Sequence, residues 1–352
     1  MTDALPYLHR RKMLMLLGSL PLAGPAGGAF ASTAAAPMDA ATMLVAGPDG
    51  GNLDRWGRLM QPALALGLPP AAILRLNTLG AADGVTGANQ FLARGEPDGR
   101  TVLLAPGDAA ISWLVGEARA QYDVGQWVPI MAAVDPATLI VRTGAFAPNR
   151  PIRLAASGPA SIDLPAILGI DLLGARAMLV PPLPLEAQID SFARGDIDAI
   201  FLRGHRVADR AASLVGMGGV PLFSLGARDE TGKPIRCQTF ADVPTLAEVH
   251  AATRGPIAGP LYDAWLAAAV AAQLEFMLVL PHLTPAAAVA LWRRAGAEAM
   301  ASLDVQAVAL PLGVRVISGA EASATGAAIA SGQAARMDLR RWLETRFNWR
   351  PA

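Results

Sequence analysis

Gly47-Pro48-Asp49-Gly50-Gly51-Asn52-Leu53-Asp54 follows the short apolar run Met43-Leu44-Val45-Ala46 and precedes a helical pattern. A strand that breaks at proline and paired glycines and then enters a helix leaves backbone N–H groups pointing outward at the helix start. Such a turn holds an anion or a polar small molecule, or it is an ordinary strand-to-helix connection; one glycine-rich turn does not decide between them. Its surroundings say more. From Asp54 to Leu66, residues Trp56, Leu59, Met60 and Ala63 share one helical face. Ile73-Leu74-Arg75-Leu76 is a second strand, broken at Gly80-Ala81-Ala82-Asp83-Gly84 before a helix running from Val85 to Ala93. Glu96-Pro97-Asp98-Gly99 has reverse-turn chemistry and leads into a third strand, Thr101-Val102-Leu103-Leu104-Ala105. This alternation predicts an α/β protein with a mostly parallel sheet flanked by helices. In such sheets ligands lie at the carboxyl ends of the strands, where two successive glycine-containing loops sit here.

The pattern repeats further on. Thr138-Leu139-Ile140-Val141-Arg142 is expected to cross into a second lobe, which Ile152-Arg153-Leu154-Ala155-Ala156 opens and Ser157-Gly158-Pro159-Ala160-Ser161 continues. Strands follow at 178–180, 197–201 and 220–225, with a helix at Leu185–Arg194. The apolar stretch 264–280 is long enough to raise the question of a membrane span. It carries Gln273 and Glu275 at its middle and has no basic flank, so it predicts a buried helix running into a strand. Thr284-Pro285 predicts a helix start, Thr as N-cap and Pro at the first helical position, with the helix ending near Met300. A last amphipathic helix over 333–347 has Met337, Leu339, Trp342 and Leu343 on its apolar side. The expected division is a first domain of 38–139 plus 274–352 and a second of 140–273. Two crossings join them as in a hinged clamp.

Composition bounds the function. At 352 residues the chain exceeds one ordinary core. Lys+Arg and Asp+Glu both total 29, so no net field draws it to nucleic acid or acidic lipid. The charged fraction is only 16% and the mean hydropathy +0.37, but much of that apolarity is alanine spread among 35 Gly and 28 Pro. At the amino end, Arg10-Arg11 precede the apolar run 13–22, and Ala29-Phe30-Ala31 has cleavage spacing. Residues 1–31 therefore read as an export signal of the twin-arginine kind, with ordinary Sec export as the alternative, cleaved near Ala31. With Cys237 alone, no internal disulfide forms. The expectation is an exported periplasmic protein without stable membrane insertion.

Five stretches, in order, resemble the extracytoplasmic receptors of tripartite tricarboxylate transporters, the Bug-type solute-binding proteins. Pro48-Asp49-Gly50-Gly51-Asn52-Leu53-Asp54 fits the family's Pro-x-Gly-Gly-x-x-Asp loop, and 81–87 follows its second, glycine-rich loop in part. Pro97-Asp98-Gly99 before an apolar strand, the spacing from Val180-Pro181 to Gly195-Asp196-Ile197-Asp198, and Asp242-Val243-Pro244-Thr245-Leu246-Ala247-Glu248 complete the set. The resemblance implies a two-lobed type II periplasmic-binding-protein fold that closes on a small carboxylated solute and delivers it to a membrane transporter. Carried over by position, the ligand-binding residues are Gly50, Gly51 and Asn52, then Asp83, Gly84 and Val85, with Ser157 and Ser161 from the second lobe. Backbone donors and a helix terminus stabilise negative charge without a buried Lys or Arg.

The departures bear on the solute, expected to be an organic acid or amino-acid-like. Asp83 stands where the family usually has Gly, and Pro182-Leu183-Pro184-Leu185 replaces a polar segment. An ionised Asp83 would repel a bound anion. Either the ligand brings an amine or hydroxyl to it, or the pocket is apolar on one side, or a classical carboxylate is no longer bound; alternatively, Asp83 caps a helix. Catalysis is not expected: His205, His250 and His282 stand apart from any partner in ligand-type spacing, Asp196 and Asp198 alternate along a strand, and 226–234 misses the phosphate-loop pattern. No cofactor or metal is expected. The scattered tryptophans read as packing, with Trp113 a possible cleft residue. A second functional reading is a ligand-sensing interaction protein that signals to a membrane histidine kinase without transport.

Overall fold

The structure, a computed structural model, describes residues 38–146, 150–228 and 234–351. The expected export signal lies outside the described residues. The chain opens with β1 (Ala40–Val45), α1 (Asn52–Gly67), β2 (Ile73–Thr78), α2 (Val85–Arg94), β3 (Thr101–Ala105) and α3 (Gly107–Val115). β4 (Val128–Val134) and β5 (Ala137–Arg142) follow, separated by Asp135 and Pro136. Then come β6 (Pro151–Ala155), α4 (Leu164–Leu172), β7 (Arg176–Val180), α5 (Leu185–Arg194), β8 (Ala199–Arg203), α6 (Val207–Gly216) and β9 (Gly219–Ser224). The short strands β10 (Ala227–Arg228) and β11 (Pro234–Ile235) form a ribbon ahead of α7 (Leu246–Arg254) and α8 (Pro260–Gln273). β12 (Leu274–Leu280), α9 (Ala286–Ala301), α10 (Leu303–Leu312), β13 (Arg315–Ser318), α11 (Gly319–Ile329) and α12 (Gln333–Phe347) close the chain.

The strands build two lobes. One sheet has the order β13-β4-β12-β3-β1-β2, the other β7-β6-β8-β5-β9. Parallel pairing joins β2-β1-β3 in the first and β7-β6-β8 in the second. The strands added beside these triplets pair antiparallel. In the first sheet Val45 lies opposite both Thr78 and Leu104, so the loops after β1, β2 and β3 leave from one edge. The chain leaves this sheet at Asp135–Pro136 and returns where α8 becomes β12.

The apolar stretch 264–280 is indeed a buried helix, α8, followed directly by the buried strand β12. Among the described residues no helix is long and apolar enough to cross a membrane. Ala264, Ala267, Ala268, Ala269, Ala271 and Ala272 give α8 small faces, against which α3, α11 and α12 pack from one lobe and α4 from the other. At Gly107 a Cβ would lie 2.1 Å from the Ala271 carbonyl oxygen, so only glycine lets α3 start there. Trp265, almost fully buried, anchors the second lobe by donating from Nε1 to the Pro165 carbonyl at 2.8 Å. Its truncation would cost about 3–5 kcal/mol on the scale of large core deletions.

Two expectations shift in detail. α9 begins at Ala286 with Pro285 in the cap position, and the Thr284 hydroxyl donates to the Pro281 carbonyl at 2.8 Å instead of capping the helix. In α12, Leu339 and Leu343 are buried but Met337 is 53% exposed. The polar side of that helix is used instead. Arg346 Nε and Trp342 Nε1 both donate to Asp171 Oδ2, at 2.8 and 3.2 Å, which straps the last helix to α4.

Candidate functional site

The loop after β1 is a closed turn. Gly50 has a left-handed φ of +69° and donates its amide to Asp54 Oδ2 at 2.9 Å, where Arg58 Nε also donates at 2.9 Å. Burial works against ionisation of Asp54, yet the Arg58 and Gly50 hydrogen bonds outweigh it and hold the carboxyl below its usual pKa. Gly51 donates to the Pro48 carbonyl and occupies the cap position of α1. The Pro-x-Gly-Gly-x-x-Asp pattern is thus a turn whose last residue locks its first glycine. Asn52 opens α1, and its Nδ2 donates to Glu275 Oε1, which also accepts from Trp56 Nε1 at 3.0 Å.

The loop after β2 is closed in a similar way. Asp83 Oδ1 accepts the Val85 amide at 3.2 Å, and Oδ2 pairs with Arg119 at 3.1 Å, so its charge is met inside the lobe. Gly84, at φ +72°, leaves no room for a side chain: a Cβ would lie 2.5 Å from Pro106 Cδ. Val85 is buried. In the second lobe the Ser157 amide donates to Asp163 Oδ2 at 2.8 Å, and the Ser161 hydroxyl donates to the Gly158 carbonyl at 2.7 Å. The amides of Gly50, Gly51, Gly84 and Val85 therefore bond within their own turns.

The space between the lobes is lined mostly by other residues. A cavity of about 540 Å³ is lined by Asn52, Arg55, Trp56 and Leu59 of α1, by Asp135 and Glu275 at the crossings, by Arg203, Gly204 and His205 at the end of β8, and by α10. Of the eight residues expected at the site, Asn52 lines it. A larger recess of about 930 Å³ behind the crossings shares Asp135 and Val314 with it and is bordered by the β10–β11 ribbon.

The charges around Arg203 define the cleft. Asp108 lies in the first turn of α3, Asp163 just before α4 and Asp135 at the crossing, so the three carboxylates come from both lobes. Burial pushes each of their pKa values up, and the positive charge of Arg203 opposes that rise in all three. Asp108 also feels the charges of Asp163 and Asp83. The carboxyls of Asp135 and Glu275 face each other within hydrogen-bonding reach, which further raises Asp135. Asp135 is 3% exposed and its Oδ1 has no hydrogen-bond partner among the described residues. Arg203 has neither a hydrogen bond nor an ion pair there.

Sequence reasoning missed Arg203, Asp108, Asp135 and Asp163 as cleft groups. The usable signal was position: Arg203, Asp108 and Asp135 sit within three residues of a strand's carboxyl end, and Asp163 at the start of the helix that follows β6. Glu275 was noticed only as an obstacle to a membrane span. Trp113 does not face the cleft; Arg336 lies over its ring at 4.6 Å, while Trp56 reaches the crossing. Asp198 pairs with Arg153 at 2.7 Å and the exposed Asp196 with Arg194 at 2.9 Å, so the two acids act apart. Among the described residues no group of acids, histidines and cysteine is placed to hold a metal. The Asp242-to-Glu248 signature is structural: Thr245 and Glu248 form a capping box on α7, and Arg236 pairs with Glu248 at 2.9 Å.

This geometry, two mixed sheets joined by paired crossings around a cleft, is the fold of two-lobed solute-binding proteins. Among solved structures, a TctC solute-binding protein from Polaromonas superposes with a TM-score of 0.62 at 20% identity, covering 87% of this chain and 98% of that one. A structure described as a periplasmic transporter gives 0.52 at 18% identity, over 90% and 100%. No protein-family model matches the chain, and no curated protein does. At these identities the likeness establishes the fold.

Proposed function

We propose that this chain is a divergent Bug-type receptor of a tripartite tricarboxylate transporter, exported to the periplasm by its residues 1–31. It captures a small organic acid or related polar metabolite as its lobes close, then hands it to membrane transporter subunits. The reading treats it as a binding protein without turnover. Its domains are 38–135 with 274–352 and 136–273, the first boundary falling a few residues before the expected 139/140 because the whole of β5 pairs with β8 and β9; the chain crosses at Asp135–Pro136 and at the α8–β12 junction. Turns 50–52, 83–85 and 157–161 frame the cleft, with Asn52 and Arg203 reaching the solute.

The observation that carries this reading is Arg203, a guanidinium with no hydrogen bond or ion pair among the described residues, lining a cavity of about 540 Å³ between two lobes of solute-binding fold. A guanidinium offers forked donors to a carboxylate, and the volume suits a small metabolite. Closure then shifts a population between open and closed lobes that a transporter can recognise.

The test is mass spectrometry of whatever copurifies with the protein, with thermal-shift screening against carboxylic acids, amino acids and amides. A ligand at a hundred times its Kd stabilises by about 2.7 kcal/mol, a readily measured rise in Tm. No copurifying solute and no rise with any compound would end the receptor reading.

A further inference from the structure

The cleft's acids say what its solute must carry besides a carboxylate. Asp135 is buried, lines the cavity, and presents an Oδ1 that no donor meets among the described residues. Glu275 faces it and lines the same cavity, its Oε1 already oriented by Asn52 and Trp56. Arg203, on the opposite lobe, lines that cavity too, and its side chain has no hydrogen bond or ion pair among the described residues. At Gly204 a Cβ would lie 3.7 Å from Asp135 Oδ2, and Ala137 pairs with Arg203, so the end of β8 lies directly against Asp135. Side by side in one cavity, a guanidinium lacks a bonded anion and a carboxylate oxygen lacks a donor among the described residues.

We propose that the cavity takes a solute bearing both a carboxylate and a protonated amine, the carboxylate accepting from Arg203 and the ammonium donating to Asp135 Oδ1 and Glu275. This rests on the receptor reading and specifies its substrate class. A plain dicarboxylate fits worse, because its second carboxylate would sit against the negative charge that the acid pair retains, and like charges repel more strongly where water is excluded. The remaining charged groups on the cleft are Arg55 and His205 on the cavity wall and Asp108 and Asp163 around Arg203. The last two add to the preference for a cationic group. Burial and the facing Glu275 hold a proton on Asp135 near neutral pH, and an arriving ammonium displaces it to the buffer.

Isothermal titration calorimetry of the purified protein near neutral pH tests this. The probes are straight-chain ω-amino acids, each paired with the dicarboxylate that replaces its ammonium by a second carboxylate. The amino acids are expected to bind at least tenfold more tightly, releasing about one proton, seen as heat that varies with the buffer's ionisation enthalpy. Asp135→Asn should weaken the amino acids at least tenfold while leaving dicarboxylates unchanged or tighter, and Arg203→Gln should weaken both series. If Asp135→Asn does not fold, Glu275→Gln carries the same expectation. Dicarboxylates binding as tightly as amino acids, or equal losses of both in the acid variants, would overturn the inference. An amine-free solute copurifying with the protein would overturn it while leaving the receptor reading intact; no binding and no copurifying solute would remove both.

Discussion

The main-chain amide of Asp135 donates to the carbonyl oxygen of Gln273 at 2.7 Å, so the outgoing crossing between the lobes is hydrogen-bonded to the returning one. The bond sits beside a strand pair, Val134 opposite Leu274. Gln273 also reaches into the second lobe, its Nε2 donating to the Gly226 carbonyl at 2.8 Å. The two crossings are therefore tied to each other, and the Asp135 carboxyl sits at the junction between the lobes.

Stability should depend on pH through that carboxyl. Asp135 is raised from the ordinary 3.8 to about 8, by burial first and by Glu275 second. A carboxyl whose pKa is higher folded than unfolded holds more protons in the folded state between the two values. Its contribution is whole below about pH 4 and is lost as the pH rises towards 8. Urea unfolding from about pH 5 to about pH 8 should show declining stability, with a shallower decline in Asp135→Asn. A residual slope is expected from Asp108 and Asp163, which burial shifts the same way. Equal slopes in both proteins would contradict the raised carboxyl.

Glycine in the second loop should matter more than glycine in the first. Gly50→Ala meets no atom within 4 Å and carries only the left-handed backbone cost, about 1 kcal/mol. Gly84→Ala adds a collision with Pro106, 2.5 Å away, so it should lose roughly 1–3 kcal/mol more. The comparison is made by denaturant midpoint, and the order reversed would show that the loop yields.

The capping box on α7 gives an acid-side signature. Thr245→Ala should cost about 1 kcal/mol. Glu248 is lowered from 4.5 to about 2, chiefly by its Arg236 hydrogen bond and then by the Thr245 amide. A carboxyl lowered on folding stabilises above its unfolded pKa, and that gain is lost as the pH falls from about 4.5 through 2. Glu248→Gln should therefore flatten the acid limb of the stability profile; an unchanged limb would mean the pair is screened out.

The strap from α12 to α4 should show strong coupling. Asp171 and Arg346 pair at 2.8 Å with side chains only 14% and 18% exposed. Asp171→Ala strands a largely buried guanidinium and should cost about 3 kcal/mol. Replacing both partners by apolar residues should cost much less. A double-mutant cycle measures the difference, and additivity within about 0.5 kcal/mol would mean no coupling.

The strand–helix alternation of the first hundred residues was legible because apolar runs and glycine breaks are local. So was the helix-to-strand run of α8 and β12, where two polar residues in an apolar stretch excluded a span. The segment containing α10, β13 and α11 was not legible: α10 and α11 are weakly amphipathic, α10 with a proline inside it and α11 rich in alanine, and β13 is only four residues long. At the site, the turns were legible but their use was not. Asp54 and Asp83 take up amides that a turn pattern alone leaves pointing outward.

By itself the sequence determined the α/β alternation, the glycine turns after β1 and β2 and the placement of α12. Each of these is a contest among neighbours along the chain. Only the tertiary structure decided that Arg203 stands among carboxylates from both lobes without a side-chain hydrogen bond among the described residues, and that Asp135 meets Glu275. Those residues lie far apart in sequence, and desolvation and charge act on them together only once the two lobes are folded and joined.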